Sequence, residues 1–246
     1  MSKRDACLFL RRYLAACLAF LLCIGGVYEV MRGESLQLDL TVGTEEADPQ
    51  PVIVLDAGHG GEDCGAVGVN GVYEKDLNLA LANLLAAQLR AAGHQVVLTR
   101  TDDRLLYDPA TVEKGHKKST DLASRAQIAN SYEGAVLVSI HMNSFPQEGV
   151  HGLQVWYGAK DEEGATLAHE IQEKCNTYLQ AENKKTAKAS TGNMYLLDRT
   201  EVPSVLVECG FLTNYRECTL LCDPGYQKEL SLVLFSAILE YLTPGV

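Results

Sequence analysis

Basic residues are scarce in this chain. Its 246 residues include 21 Lys and Arg against 32 Asp and Glu, which gives a net charge of −11 at pH 7. A protein that binds nucleic acid needs a basic surface to neutralise phosphates, so nucleic acid is not an expected partner. The chain also lacks an internal repeat, and its ordinary fractions of hydrophobic residues (47%) and charged residues (22%) exclude wholesale disorder, a collagen-like chain and a polytopic membrane protein.

No apolar run is long enough to cross a membrane comfortably. The longest uncharged stretch, residues 13–28, has sixteen residues and follows four basic side chains, Lys3, Arg4, Arg11 and Arg12. As a helix it would span about 24 Å, whereas the hydrocarbon core is about 30 Å thick. A basic start followed by an apolar run is typical of a secretory signal. Residues 1–31 are therefore predicted to be a signal peptide or a membrane anchor, with a buried core helix as the third alternative.

Charge is distributed unevenly between this segment and the rest of the chain. Residues 1–33 carry five basic and two acidic groups, a net of +3, so the remainder carries −14. The basic end is expected to stay inside the membrane, and the acidic body is therefore expected to be exported. Residues 32–50 are polar and acidic with no sustained period, which predicts a linker before a domain at residues 51–246.

The body alternates short apolar runs with helical spacing. Apolar, β-branched runs predict strands at residues 52–55, 96–98, 135–140, 153–157 and 205–207. Apolar residues at helical spacing predict helices near residues 77–89, 121–129, 167–179 and 226–242, with Asp121 as an N-cap. Strands that alternate with helices indicate a single α/β domain around a largely parallel sheet.

Side chains that can bind a metal follow three of the predicted strands. His59, His141 and Glu208 each stand at a strand end, and Glu74 precedes a helix. In open α/β sheets, active groups collect at the carboxyl ends of strands. Each residue alone also has a structural interpretation, as a hydrogen-bonded loop histidine, a helix-start charge or a surface carboxylate. The glycines around His59 do not form a dinucleotide-binding fingerprint, because Asp63 replaces its third glycine.

Taken together, these residues favour a metal site more than each does alone. Two histidines and one carboxylate form a zinc set that leaves a fourth position for water, and a second carboxylate can take a proton from that water. The long gaps between the residues exclude a local H-E-x-x-H helix, so the fold itself would have to bring them together. At this level a metal site and four unrelated structural residues both remain open.

The motifs around these residues resemble the zinc-dependent N-acetylmuramoyl-L-alanine amidases of the amidase-3 family. The matching segments are residues 52–61, Glu74, residues 124–130, residues 138–144 and residues 203–214. The resemblance implies one Zn²⁺ per chain, held by His59, Glu74 and His141, with Glu208 as the catalytic carboxylate. It also implies a single three-layer domain with a mixed sheet. Asn143 is a further candidate, either for binding substrate or for orienting His141, with a turn-forming role as the alternative.

The compact layout is similar to that of the germination-specific spore-cortex amidases. Residues 157–194 are too short for the inhibitory helix of cell-division amidases. The resemblance implies a peptidoglycan glycan strand with its stem peptide as substrate and muramic-δ-lactam formation in the cortex as the role. Since the body shows no wall-binding module or built-in regulator, an accessory regulatory protein is a further expected partner. The alternatives are a vegetative autolysin of the same family, a zinc exopeptidase and a non-catalytic wall-binding protein.

Overall fold

The computed structural model describes residues 50–243, except for residues 108, 109, 111, 113 and 114. The predicted signal or anchor segment and nearly all of the predicted linker lie outside the described residues. Within the described part of the chain, no helix has the length and apolar character that crossing a membrane requires.

A six-stranded sheet forms the centre of the domain. Its strands are β1 (Ile53–Ala57), β2 (Val96–Leu98), β3 (Val136–Asn143), β4 (Gln154–Tyr157), β5 (Lys188–Ala189) and β6 (Ser204–Phe211). They lie in the order β2-β1-β3-β6-β4-β5. All neighbouring pairs are parallel except β4 and β6, which are antiparallel. The sheet is therefore mixed, with its carboxyl edge formed mainly by β1, β3 and β6.

Helices cover both faces of this sheet. They are α1 (Glu74–Ala91), α2 (Lys117–Asn130), α3 (Glu162–Tyr178), α4 (Tyr195–Arg199), α5 (Tyr215–Cys222) and α6 (Pro224–Leu242). Helices α1, α3 and α6 share the larger hydrophobic core with one face of the sheet, whereas α2 and α4 share a smaller core with the other. Alternate strand residues enter the two cores, as the pleat of a strand requires. The predicted three-layer α/β fold is confirmed.

The element boundaries differ from the sequence prediction in one informative place. Helix α2 begins at Lys117, so the prediction of Asp121 as its N-cap is wrong. Asp121 is instead buried in the second turn, where its carboxylate accepts hydrogen bonds from Arg125 Nε at 2.7 Å and from the Leu106 backbone N–H at 2.6 Å. An aspartate suits an N-cap, but it also suits a buried arginine, and only the folded chain distinguishes the two.

Two central strands are longer than predicted. β3 extends to Asn143 and β6 to Phe211, so that His141 and Glu208 lie inside strands rather than in the loops that follow. The pairing of β3 with β6 sets His141 directly beside Glu208. The short elements β5, α4 and α5 were not predicted, because two to eight residues give too little periodicity to detect.

Candidate metal centre

His59 lies in a strained loop that follows β1. Its backbone has a φ of 62°, in the left-handed region that non-glycine residues rarely adopt. The Arg125 guanidinium holds this conformation by donating from Nη2 to the carbonyl of His59 at 2.7 Å. The ring is fixed as well, because Asp63 Oδ2 lies 2.8 Å from His59 Nδ1. Nε2 is thereby directed toward Glu74.

Glu74 is the first residue of α1, and its side chain is buried. Oε2 accepts a hydrogen bond from the Ala66 backbone N–H at 2.7 Å, and Oε1 accepts one from the Met142 N–H at 3.0 Å. Burial by itself raises the pKa of Glu74, but His141 and His59 outweigh it and hold the pKa well below its usual range. The carboxylate is therefore ionised and fixed in place.

Glu74 joins the two histidines. Its Oε1 lies 3.2 Å from His59 Nε2 and 2.9 Å from His141 Nδ1. One donor atom from each of the three residues lies within 4.8 Å of the others. Two imidazole nitrogens and a carboxylate oxygen form a set that suits a divalent transition metal, above all zinc. The structure thus brings together the three residues that the sequence singled out, in a cluster that can bind a metal ion.

Close packing holds the His141 ring in this position. Gly58 faces the ring so closely that a Cβ at this position would overlap Cε1 and Nε2 of His141. The carbonyl of Gly58 also accepts a hydrogen bond from Asn78 Nδ2 at 3.1 Å. A glycine is therefore required here to let the imidazole approach Glu74.

Glu208 lies beside this cluster with an unusual environment. It pairs in register with His141 across β3 and β6, so both side chains point to the same face. Its buried Oε2 has no hydrogen-bond partner among the residues that the structure describes. Burial raises the pKa of Glu208 to about 7, with Glu74 adding to the effect and His141 opposing it. A carboxyl group poised between its two protonation states suits proton transfer near neutral pH.

A buried ion network supports the loop between β1 and His59. Arg125 Nη1 donates to Asp56 Oδ1 at 2.6 Å and to the Ala57 carbonyl at 2.8 Å. Arg100 donates to the carbonyls of Ala57 and Gly58 at 2.8 and 3.0 Å. Both guanidinium groups are buried, so each needs these acceptors. The backbone that presents His59 is therefore held by two arginines.

Asp56 is the anionic centre of this network. The hydroxyls of Thr99 and Ser139 each donate to it at 2.6 Å, in addition to Arg125. Burial alone raises the pKa of Asp56, but Arg125 and the two hydroxyls outweigh it and lower the pKa to about 2. The sequence placed Asp56 and Arg125 in matching segments without a role, and it gave no signal for Arg100, because a buried arginine has no signature in a single sequence.

A cavity of about 220 Å³ opens beside the cluster. It is bounded by His59, His141 and Glu208, by Leu206, and by a wall from residues 193–196. Asn143, the remaining candidate, ends β3, and its Oδ1 accepts a hydrogen bond from the Ser144 N–H at 2.8 Å. This bond fits the turn-forming interpretation, and a role for Asn143 in substrate binding remains a prediction.

Comparison with known proteins identifies the family. The model of the Amidase_3 family, N-acetylmuramoyl-L-alanine amidase, matches residues 53–240. The chain belongs to this family. The predictions of an amidase and of an enzyme are thus confirmed.

Two relatives show which amidases this family member resembles. The germination-specific N-acetylmuramoyl-L-alanine amidase of Bacillus subtilis (strain 168) is 36% identical over 192 residues, 78% of this chain and 80% of the relative. The solved structure of the CwlD amidase from Clostridioides difficile, in complex with the GerS lipoprotein, is 36% identical with a TM-score of 0.74. That match covers 78% of this chain and 98% of the solved chain.

The fold is also shared with an amidase from another bacterial group. The structure of the amidase AmiC2 of Nostoc punctiforme is 30% identical, with a TM-score of 0.66, and covers 78% of this chain and 97% of that one. The resemblance to germination-specific amidases that the sequence suggested is therefore supported by both sequence and fold.

Proposed function

We propose that this amidase is zinc-dependent and cleaves the amide bond between N-acetylmuramic acid and L-alanine of the peptidoglycan stem peptide. In this proposal His59, Glu74 and His141 hold one Zn²⁺, and Glu208 is the catalytic acid and base. The observation that carries it is the convergence of two imidazole nitrogens and a carboxylate oxygen beside a buried carboxyl oxygen without a partner. A purely structural cluster gives no reason to bury an unpartnered carboxyl group there.

The chain's own residues divide the chemistry between them. A bound Zn²⁺ supplies Lewis acidity, which polarises the scissile carbonyl and acidifies an attacking water molecule. Glu208 accepts a proton from that water as the carbon–oxygen bond forms. Glu208 then returns the proton to the alanine nitrogen as the carbon–nitrogen bond breaks. Because His141 and Glu208 are neighbours across two paired strands, the sheet fixes the proton acceptor relative to the metal ligand.

The proposed biological role is maturation of the spore cortex. Removal of stem peptides would allow muramic-δ-lactam to form, and germination would depend on it. The similarity to the germination-specific amidase of B. subtilis supports this role over a vegetative autolysin. The C. difficile CwlD amidase, whose solved structure includes the GerS lipoprotein, supports the further proposal of an accessory partner for this chain. We also propose an extracytoplasmic location, reached through the signal or anchor at residues 1–31.

One experiment tests the reaction directly. The full-length protein is incubated with purified cortex or wall muropeptides and Zn²⁺, and the products are identified by mass spectrometry. Release of intact stem peptides with an N-terminal L-alanine supports the amidase. Release of single amino acids from peptides without muramic acid would instead indicate an exopeptidase, and binding without products would indicate a wall-binding protein. Removal of the metal with a chelator, followed by restoration with Zn²⁺, tests the cofactor.

A further inference from the structure

Three lysines stand close together in an otherwise acidic chain. Lys184, Lys185 and Lys188 line an open cavity of about 450 Å³. The remaining lining comes from His151, Glu182, Asn183 and Thr186. We call this surface the lysine basin. A concentration of three positive charges within five residues contrasts with the net charge of −11.

Protein carboxylates do not neutralise these lysines. Within the described part of the chain, none of the three forms an ion pair, and the carboxylate of Glu182 pairs instead with Arg216 at 3.7 Å. Lys185 Nζ donates to the carbonyls of His151 and Gly152, both at 2.6 Å. These carbonyls, together with the Phe211 ring, whose centre lies 4.3 Å from Lys185 Nζ, position the ammonium group without an ion pair from the described residues. The basin is therefore suited to an anion.

The lysine basin lies close to the proposed catalytic carboxylate. Gln154 of β4 pairs in register with Glu208, and its Nε2 donates to the carbonyl of Thr186 at 2.6 Å. Neighbouring strands are about 4.8 Å apart, and Lys188 is level with Leu206, two residues along the strand from Glu208, so the Cα atoms of Lys188 and Glu208 are about 12 Å apart.

An aromatic surface connects the two places. Trp156, the only tryptophan of the chain, pairs in register with Leu206, which lines the cavity beside Glu208. Trp156 is half-buried, and the ammonium group of Lys188 lies 5.8 Å from the centre of its ring. Lys188 is exposed and pairs in register with Trp156, so it projects to the same face of the sheet. A substrate peptide that extends from Glu208 toward β5 would therefore contact the Trp156 ring first and the Lys188 ammonium group next.

We propose that the lysine basin binds the carboxylate of the second stem-peptide residue, the one that follows the alanine at the scissile bond, with Lys188 and Lys185 as its cationic partners. This inference rests on the proposed function, because it assumes that the scissile bond lies beside Glu208. An extended chain advances about 3.4 Å per residue, so a group two residues beyond the bond is about 7 Å away. The flexible four-carbon stem of lysine covers the remaining gap.

A matched pair of substrates isolates this contact. N-acetylmuramoyl-L-alanyl-γ-D-glutamyl-L-lysine and N-acetylmuramoyl-L-alanyl-D-isoglutaminyl-L-lysine both have the γ-carboxyl of the second residue linked to lysine. They differ only in a free α-carboxylate (the acid) against an α-carboxamide (the amide). The zinc-loaded, full-length protein and its Lys188→Met variant are assayed on both, with kcat and KM measured separately. We expect Lys188→Met to lower kcat/KM for the acid about tenfold, mainly through KM, and to change the amide less than twofold. Lys188→Arg retains the preference, and Lys228→Met, an exposed lysine on α6, serves as the control.

Three kinetic outcomes would overturn the inference. Equal losses on both substrates would mean that Lys188 acts on structure and not on the carboxylate. No loss on the acid, or the same loss with Lys228→Met, would mean that the basin does not contact substrate. If the unmodified protein cleaves neither substrate, calorimetry on the zinc-loaded protein tests the basin alone, and the proposed function itself fails only if muropeptides are not cleaved either. In calorimetry, the inference is supported if the acid binds more tightly than the amide and Lys188→Met abolishes this difference. Equal binding of acid and amide overturns it.

Discussion

Replacing Arg125 by methionine should destabilise the protein far more than replacing an exposed arginine. Arg125 is 1% exposed and makes four hydrogen bonds, to the carboxylates of Asp56 and Asp121 and to the carbonyls of Ala57 and His59. Methionine fills much of the volume but leaves two carboxylates buried without their cation. Breaking such a network from one side costs about 3–5 kcal/mol.

This loss is large compared with the total stability of a domain, which is about 5–15 kcal/mol. Urea unfolding of the full-length, metal-free protein measures this loss in the free energy of unfolding. In thermal unfolding, the melting temperature should fall by about 10 °C. Arg90→Met is the matched control, because exposed Arg90 makes a single bond, to the Val96 carbonyl at 2.9 Å, worth about 1 kcal/mol. Equal losses for the two variants would refute the network argument.

The same variant should also weaken metal binding. Arg125 holds the carbonyl of His59, whose φ of 62° is unfavourable without support. Groups that orient metal ligands typically contribute about 10–100-fold to affinity, and a loss of this size is expected for Arg125→Met at a temperature where it is folded. Combining Arg125→Met with Asp56→Asn should recover part of the lost stability, because the second change removes an unpaired charge. A fully additive loss would contradict the coupling between these two residues.

Three further predictions follow from the site. Glu208→Gln should lower kcat about 10²–10⁴-fold while the metal content of the protein stays unchanged, and near-normal turnover would exclude Glu208 as the proton acceptor. Gly58→Ala should reduce metal content by displacing the His141 ring, whereas Gly149→Ala, which has open space around its Cα, should not. Asp56, with a pKa lowered to about 2 from 3.8, should contribute about 2 kcal/mol to the free energy of unfolding. This contribution is complete above pH 4 and is lost as the pH falls toward 2. Asp56→Asn should remove this acid dependence from urea titrations of the metal-free protein.

The cluster of His59, Glu74 and His141 could be anticipated because the local pattern carries information about position in the fold. His59, His141 and Glu208 each follow an apolar run, and parallel strands bring their carboxyl ends to one edge. The sequence could not show that β3 and β6 continue through His141 and Glu208. A polar residue interrupts the apolar run by which a strand is recognised in a sequence. In the structure, however, the backbone hydrogen bonds between the two strands continue past such residues.

The supporting residues were harder to predict, because their roles depend on contacts distant in sequence. Asp121 has the local features of an N-cap and serves instead as an acceptor for Arg125. Lys184, Lys185 and Lys188 resemble an ordinary solvated charge run. The role proposed for Lys188 depends on β5, two residues long, which pairs Lys188 with Trp156 of β4. No period in the sequence reports a strand of two residues.

The register between β3 and β6 is the feature on which the chemistry depends most. His141 and Glu208 are directly paired, and so are Ile140 and Val207, which face the larger core. A slip of one residue would place Glu208 among the apolar side chains and Val207 beside the proposed metal ligands, because successive residues alternate between faces. The buried valine and isoleucine pairs therefore do more than stabilise the sheet. By making every other register costly, they fix the one in which a carboxyl group without a hydrogen-bond partner stands beside the metal site.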